Sequence, residues 1–217
     1  MLRRWLEGLS PRGEWLLINL LCFGLLIFSS LWAVLTRQRL YLFDTRRAIF
    51  GIAYELVVIA AALAILRIRG WRLADLRLRP SVAGTFGGLL FFAGYMTLWY
   101  VFAWTLYLGG VRLQQMEVRF TAPLLLSLLF CVINPFFEEL FVVGYNIKAM
   151  DGDSAAMAVT CSAFIRFLYH LYQGPAGAVS ILLFGLAAAM VFRRWRTLWP
   201  LVIAHLLLDA FAVLARR

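Results

Sequence analysis

The stretch Asn134-Pro135-Phe136-Phe137-Glu138-Glu139-Leu140-Phe141-Val142-Val143-Gly144-Tyr145 sets two adjacent carboxylates in a run that is otherwise almost wholly apolar. Water does not hydrate them there at bulk strength. An unpaired ionised carboxylate in such surroundings costs several kcal/mol or takes up a proton, and two side by side repel each other. The pair therefore predicts partners elsewhere in the chain and a chemical role for the group. Working outward, the residue types that suit it are His170, His205 and Asp209, which lie in other apolar runs.

Composition fixes the setting. The 217 residues are 64% hydrophobic, with a mean hydropathy of +0.85. That excludes an ordinary soluble domain and indicates an all-α, polytopic transmembrane helical bundle. Long apolar runs, rather than short alternating segments, exclude a transmembrane β-barrel. The net charge of +10 does not indicate a nucleic-acid partner, because the arginines sit mainly in short loops between apolar runs, where topology signals belong. Cys22, Cys131 and Cys161 all lie inside apolar runs. Their spacing fits neither a zinc site nor a disulfide framework, so they read as packing residues. The first apolar run, Trp15 to Leu35, is too long for a signal-peptide core, and no small-residue cleavage site follows it.

Met1 to Glu14 reads as an amphipathic lead-in at the interface. About seven spans follow, at roughly 15–35, 48–66, 83–108, 122–149, 154–172, 176–192 and 198–214. Glu55 lies in the second span, and the polar connector from Gly109 to Thr121 precedes the fourth. Gly174-Pro175 breaks the chain before the sixth. Thr197 is the expected N-cap of the seventh, with Pro200 in its first turn, where proline is tolerated. Gly185 reads as a point of close helix contact. No repeat or linker suggests a second domain, so residues 1–217 read as a single membrane domain. Lys and Arg in the loops favour a cytoplasmic N-terminus, with about twelve on that side against about eight on the other.

Three spans bring ionisable groups to one layer. Counted at about 1.5 Å per residue from the side shared by the loops after spans 4 and 6, Glu138, His170, His205 and Asp209 lie at depths of roughly 16, 24, 12 and 18 Å. His205 and Asp209 are one turn apart and share a helix face; the plainest reading of Asp209 alone is that it orients the imidazole, itself a supporting catalytic role. A buried carboxylate beside histidines suits general-base chemistry. The same Glu138, His170 and His205 are also adequate zinc ligands.

At these residues the chain resembles the CPBP family, the CAAX proteases and bacteriocin-processing enzymes, which are intramembrane endopeptidases. The first family motif, EExxxR followed by Gly-Tyr, resembles Glu138-Glu139-Leu140-Phe141-Val142-Val143-Gly144-Tyr145. The second, FxxxH, resembles Arg166-Phe167-Leu168-Tyr169-His170. The third, HxxxN or HxxxD, resembles His205-Leu206-Leu207-Leu208-Asp209. The resemblance covers about Ala122 to Leu214 and implies a four-helix catalytic core in residues 122–217, preceded by three N-terminal helices in 1–121. It implies a glutamate-type mechanism without metal or other cofactor. Glu138 and His170 would position and deprotonate a water, while His205 and Asp209 would bind the scissile carbonyl oxygen and the oxyanion. Glu139, Arg166 and Asn134 would support them. The implied partners are the lipid bilayer and a membrane-associated protein or peptide substrate, and the implied location is a prokaryotic cell membrane.

Two positions depart from the pattern. Val143 stands where the family has Arg, and Arg166 stands where it has Phe. An arginine in mid-span needs a partner, and Glu139 lacks its local one. The joint reading is that the cation has moved to the other helix, one turn before His170, and pairs with Glu139 or Glu138. The separate reading is two losses in a proteolytically silent member that acts as an immunity or interaction protein. A small proton-coupled transporter is the remaining alternative, although such proteins usually show repeats and broken helices in both halves, which this chain lacks.

Overall fold

The apolar runs form helices because a backbone out of water must satisfy its own donors and acceptors. The computed structural model describes residues 1–112 and 116–216. Among them α1 (Leu2–Glu7) precedes four long helical runs: α2 (Pro11–Leu35), α3 (Thr45–Ile68), α4 (Val82–Leu108) and a composite run. The composite comprises α5 (Leu124–Glu138), a π-helical segment (Glu139–Tyr145) and α6 (Asn146–Ala149). Then come α7 (Ala155–His170), α8 (Gly174–Trp195) and α9 (Trp199–Ala215). Ser10, Asp44, Ser81 and Ser154 start α2, α3, α4 and α7, and each side chain accepts the backbone N–H three residues on. That satisfies one orphan donor at each helix start.

The protein is an all-α helical bundle. Five helical runs are long and apolar enough to cross a membrane, the last being Ala155–Trp195, which joins α7 and α8; α9 is apolar but shorter. The α7–α8 junction is a 3₁₀ turn at Leu171–Gln173, followed by Gly174 at φ 78°, a value that favours glycine. Gly174-Pro175 therefore turns the chain, as expected from the sequence.

Several expectations are corrected. Span 1 starts four residues early, at Pro11, because Ser10 caps it. Glu14 is therefore not in an interfacial lead-in but buried. It bonds Arg69 Nε at 2.7 Å and Trp71 Nε1 at 3.0 Å, while the same Arg69 binds the carbonyls of Leu6, Glu7 and Leu9. Thr197 does not cap α9. Leu198 is its N-cap without a side-chain bond, and the Leu198 N–H donates to the Arg77 carbonyl at 3.1 Å, which ties the start of α9 to the loop after α3. The connector 109–121, of which residues 113–115 lie outside the described ones, carries a strand. That strand, β2 (Glu117–Phe120), pairs in parallel with β1 (Leu40–Phe43). Parallel strands need a long crossover, which α3 and α4 supply.

The strand pair launches α3 and α5 in the same direction, side by side. A Cβ on Gly51 would meet the Phe130 ring at 2.8 Å, and the Tyr54 ring lies 6.3 Å from that of Phe137. α7 packs on α8 and α2, and α9 on α4 and α5. Gly185 lets α8 come close to α7, since its Cβ would lie 3.3 Å from the Ala163 Cα. The core centres on the composite run, where Phe137, Phe141, Val142, Val143 and Tyr145 are all 0% exposed. One end of the bundle carries the strands. The other is arginine-rich: the loop after α3 bonds α1 through Arg69 and the start of α9 through the Arg77 carbonyl, and Arg196, after α8, bonds Asp151, just past α6.

Candidate active site

The site is built on the point where α5 changes pitch. Pro135 lies inside α5. It has no N–H to donate and crowds the preceding turn, and four residues later the helix widens to a π segment. π-bulges concentrate at functional sites. A widened turn leaves carbonyls for outside donors, and two are taken. The Ser162 hydroxyl of α7 donates to the Val142 carbonyl at 2.6 Å, and the Asn146 amide to the Phe141 carbonyl at 2.9 Å. Gly144 completes the fit, because a Cβ there would meet Leu198 at 2.8 Å and the Leu76 carbonyl at 3.1 Å.

Glu138 and Glu139 both point inward, at 4% and 0% exposure. Glu139 Oε1 accepts from Arg166 Nη2 at 2.7 Å and from His205 Nδ1 at 2.7 Å. One carboxylate oxygen thus ties the composite run to α7 and α9. The pairing of Arg166 with Glu139 expected from the sequence is present. The partner segment differs in detail, because α7 reaches the acids by packing against the π segment and α6 rather than along α5. Arg166 is 1% exposed, its Nη1 lies 3.7 Å from Glu138 Oε2, and its Cζ sits 5.1 Å from the Phe184 ring centroid. Phe184 also packs edge-on to His205, at 5.6 Å, so one apolar ring from α8 covers both Arg166 and His205. Val143 is 0% exposed in the apolar core.

His205 is oriented by Glu139 rather than by Asp209. An ionised carboxylate only accepts, so Nδ1 carries a ring proton. Nε2 then faces the remaining acids, at 3.9 Å from Glu138 Oε2 and 3.6 Å from Asp209 Oδ1. The second distance is too long for a hydrogen bond, so Asp209 does not hold the ring by a direct bond. Helical spacing put the two on one face but did not measure the gap. Asp209 instead accepts from the Asn134 amide at 3.0 Å. At 27% side-chain exposure it is more open than Glu138, Glu139, Arg166 or His205.

His170 is also in place but not bonded to Glu138 among the described residues. Its Nδ1 meets the Arg166 carbonyl at 3.0 Å, which fixes the ring and turns Nε2 away from its own helix. The side chain that does bond Glu138 is one the sequence reading passed over. The Tyr169 hydroxyl donates to Glu138 Oε2 at 2.6 Å, and its ring stacks on Phe23 at 5.1 Å. The signal was available, since residues 166, 169 and 170 share one helix face. Glu55 is the other late addition. It is 4% exposed, and its Oε2 meets no hydrogen-bond partner among the described residues. Neither do Glu139 Oε2 and Arg166 Nε. Among the described residues no group of three or more His, Cys, Asp or Glu side chains is arranged to hold a metal ion.

Residues 120–211 match the family model described as Rce1-like, type II CAAX prenyl endopeptidase Rce1-like. This segment is similar to the Rce1-like endopeptidases. The match bears out the resemblance carried by the three motifs. It spans α5 through most of α9, so the Rce1-like segment holds every side chain of the cluster except Glu55 and Phe23. The family is a protease family, and the apolar helical runs make the protein an integral membrane protein. No curated protein and no solved structure matches the chain.

Proposed function

We propose that the protein is an intramembrane endopeptidase that hydrolyses a peptide bond of a membrane-associated protein or peptide, using a water activated by Glu138. The observation that carries this reading is the buried cluster in which Glu139 joins Arg166 to His205 while Glu138 stands beside them. A site built only for stability has little reason to keep two adjacent acids in the core, because buried ion pairs are often replaced by apolar groups without loss. The Rce1-like match over the same residues supports it.

In this mechanism Tyr169 holds one oxygen of Glu138, leaving the other for a water that His170 helps to position. Glu138 takes the water proton as the oxygen attacks the scissile carbonyl carbon. His205, with Nδ1 fixed on Glu139, offers Nε2–H to the oxygen that becomes negative, and Asp209 with Asn134 completes that side. Donors fixed in a dry site stabilise an oxyanion most. The carbon–nitrogen bond then breaks, and Glu138 returns the proton to the leaving amine. Arg166 balances Glu139 throughout. Because Glu139 has a cation despite Val143, the cluster favours a working site over a silent one. The lower exposure of every member but Asp209 suggests that substrate enters on the Asp209 side, between α5 and α9. We read residues 122–217 as the catalytic core, residues 1–121 as its packing partner, and the N-terminus as cytoplasmic.

The test is purified protein in lipid with a library of membrane-tethered peptides in ¹⁸O-labelled water, read by mass spectrometry. Fragments carrying one ¹⁸O at the new carboxylate are expected, and they should persist in strong chelators. No cleavage of prenylated or unprenylated peptides would refute the assignment. Cleavage abolished by chelators would move Glu138 from base to ligand.

A further inference from the structure

The arginine-rich end holds a cavity that the cluster does not use. It lies where α3 runs into the 3₁₀ turn at Leu73–Leu76, and it measures about 240 Å³. Its walls have two characters. Leu63, Leu66, Leu73 and Leu76 line it together with Trp71 and the guanidinium-bearing Arg67 and Arg72. Arg67, Arg72 and Leu73 are exposed, Leu73 at 64%. Neither arginine is in an ion pair among the described residues, although Arg69, two residues from Arg67, is bound by Glu14. The floor is fixed. The Trp71 indole donates to Glu14 at 3.0 Å, and its ring lies 5.1 Å from Tyr145, the last residue of the π segment.

We propose that this cavity binds one anionic phospholipid. Leu63, Ala64 and Leu73 meet the two arginines at the end of a helix long and apolar enough to cross a membrane, so the ligand must join an acyl chain to a head group. Two unpaired arginines at that boundary select a negative head, since guanidinium forks match phosphate oxygens. The volume is below the 300–1,000 Å³ of pockets that enclose whole small ligands. It therefore suits the head and first carbons of a molecule whose tails remain in the bilayer. Through Trp71 and Tyr145 the lipid would brace the end of the segment that carries Glu138 and Glu139. The site itself stands whether or not the protein is a peptidase.

The experiment is native mass spectrometry of delipidated protein titrated with dioleoylphosphatidylglycerol, dioleoylphosphatidylcholine or inorganic phosphate. One phosphatidylglycerol should bind per chain, with phosphatidylcholine and free phosphate at least tenfold weaker. Arg67→Gln with Arg72→Gln should weaken it about thirty-fold, the effect of two surface charges. Arg12→Gln with Arg194→Gln, two exposed arginines outside the cavity lining, should leave it unchanged. Leu73→Glu keeps both arginines and should abolish binding, which guards against a double variant that fails to fold. Equal losses in the two double variants would mean diffuse charge attraction and overturn the proposal. So would equal binding of the two lipids, or binding of phosphate alone.

Discussion

α4 and the α5–α6 run have nearly the same length and hydropathy and opposite fates. Val82–Leu108 has 27 residues at hydropathy 1.5, and Leu124–Ala149 has 26 at 1.8. Over the apolar 18-residue window of each, 6% of the residues are buried in the first and 61% in the second. The difference lies in how each treats its polar groups. On α4, Thr97 and Thr105 donate to carbonyls four residues back on their own helix, and the groups that do reach other helices, Thr85 with Trp199 and Tyr95 with Ser180, are uncharged hydroxyls. In the α5–α6 run, Asn134, Glu138, Glu139 and Asn146 all bond side chains of other helices. Hydropathy decides that a helix enters the membrane, while polar groups that need distant partners decide which helix the others surround.

The largest expected effect is at Arg166. Arg166→Leu leaves Glu139 buried without its cation and should lower stability by about 3–5 kcal/mol, read as a fall in the unfolding midpoint in detergent. Val143→Arg combined with Arg166→Phe returns a cation to the composite run and should recover part of that loss. No recovery would mean that the position of the charge, not its presence, matters. Asn146→Ala comes next. It breaks a reciprocal pair with Asn19, at 2.9 and 3.0 Å, and strands a buried amide, a loss of about 1–3 kcal/mol. Thr97→Val, on the lipid face of α4, should change stability by no more than about 0.5 kcal/mol. A larger shift there would break the contrast between the two helices.

The helices were legible because a membrane span needs a long apolar run, and the turn at Gly174-Pro175 because both residues punctuate a helix. The Arg166–Glu139 pair was legible from two departures, one in each of two motifs. Other features depend on distance in three dimensions. The four-residue strands β1 and β2 are 77 residues apart in register, Leu40 facing Glu117, and nothing local in either announces the other. Glu14 was misplaced because a charge near a helix start reads as interfacial until Arg69 is seen on it. The π segment has no composition of its own. It follows from Pro135 together with outside donors from Ser162 and Asn146. Spacing along one helix shows His205 beside Asp209, whereas Glu139, which bonds it, lies 66 positions away.

The central claim is that Glu138 is the base of a hydrolytic site, and Glu138→Gln tests it most directly. The substitution keeps the size of the side chain and its place beside Tyr169 while removing the group that accepts a proton. Cleavage of a membrane-tethered peptide should fall by about 10²–10⁴-fold, the usual contribution of a positioned acid–base group, with the protein still folded. Turnover by the variant at the wild-type rate would contradict the account.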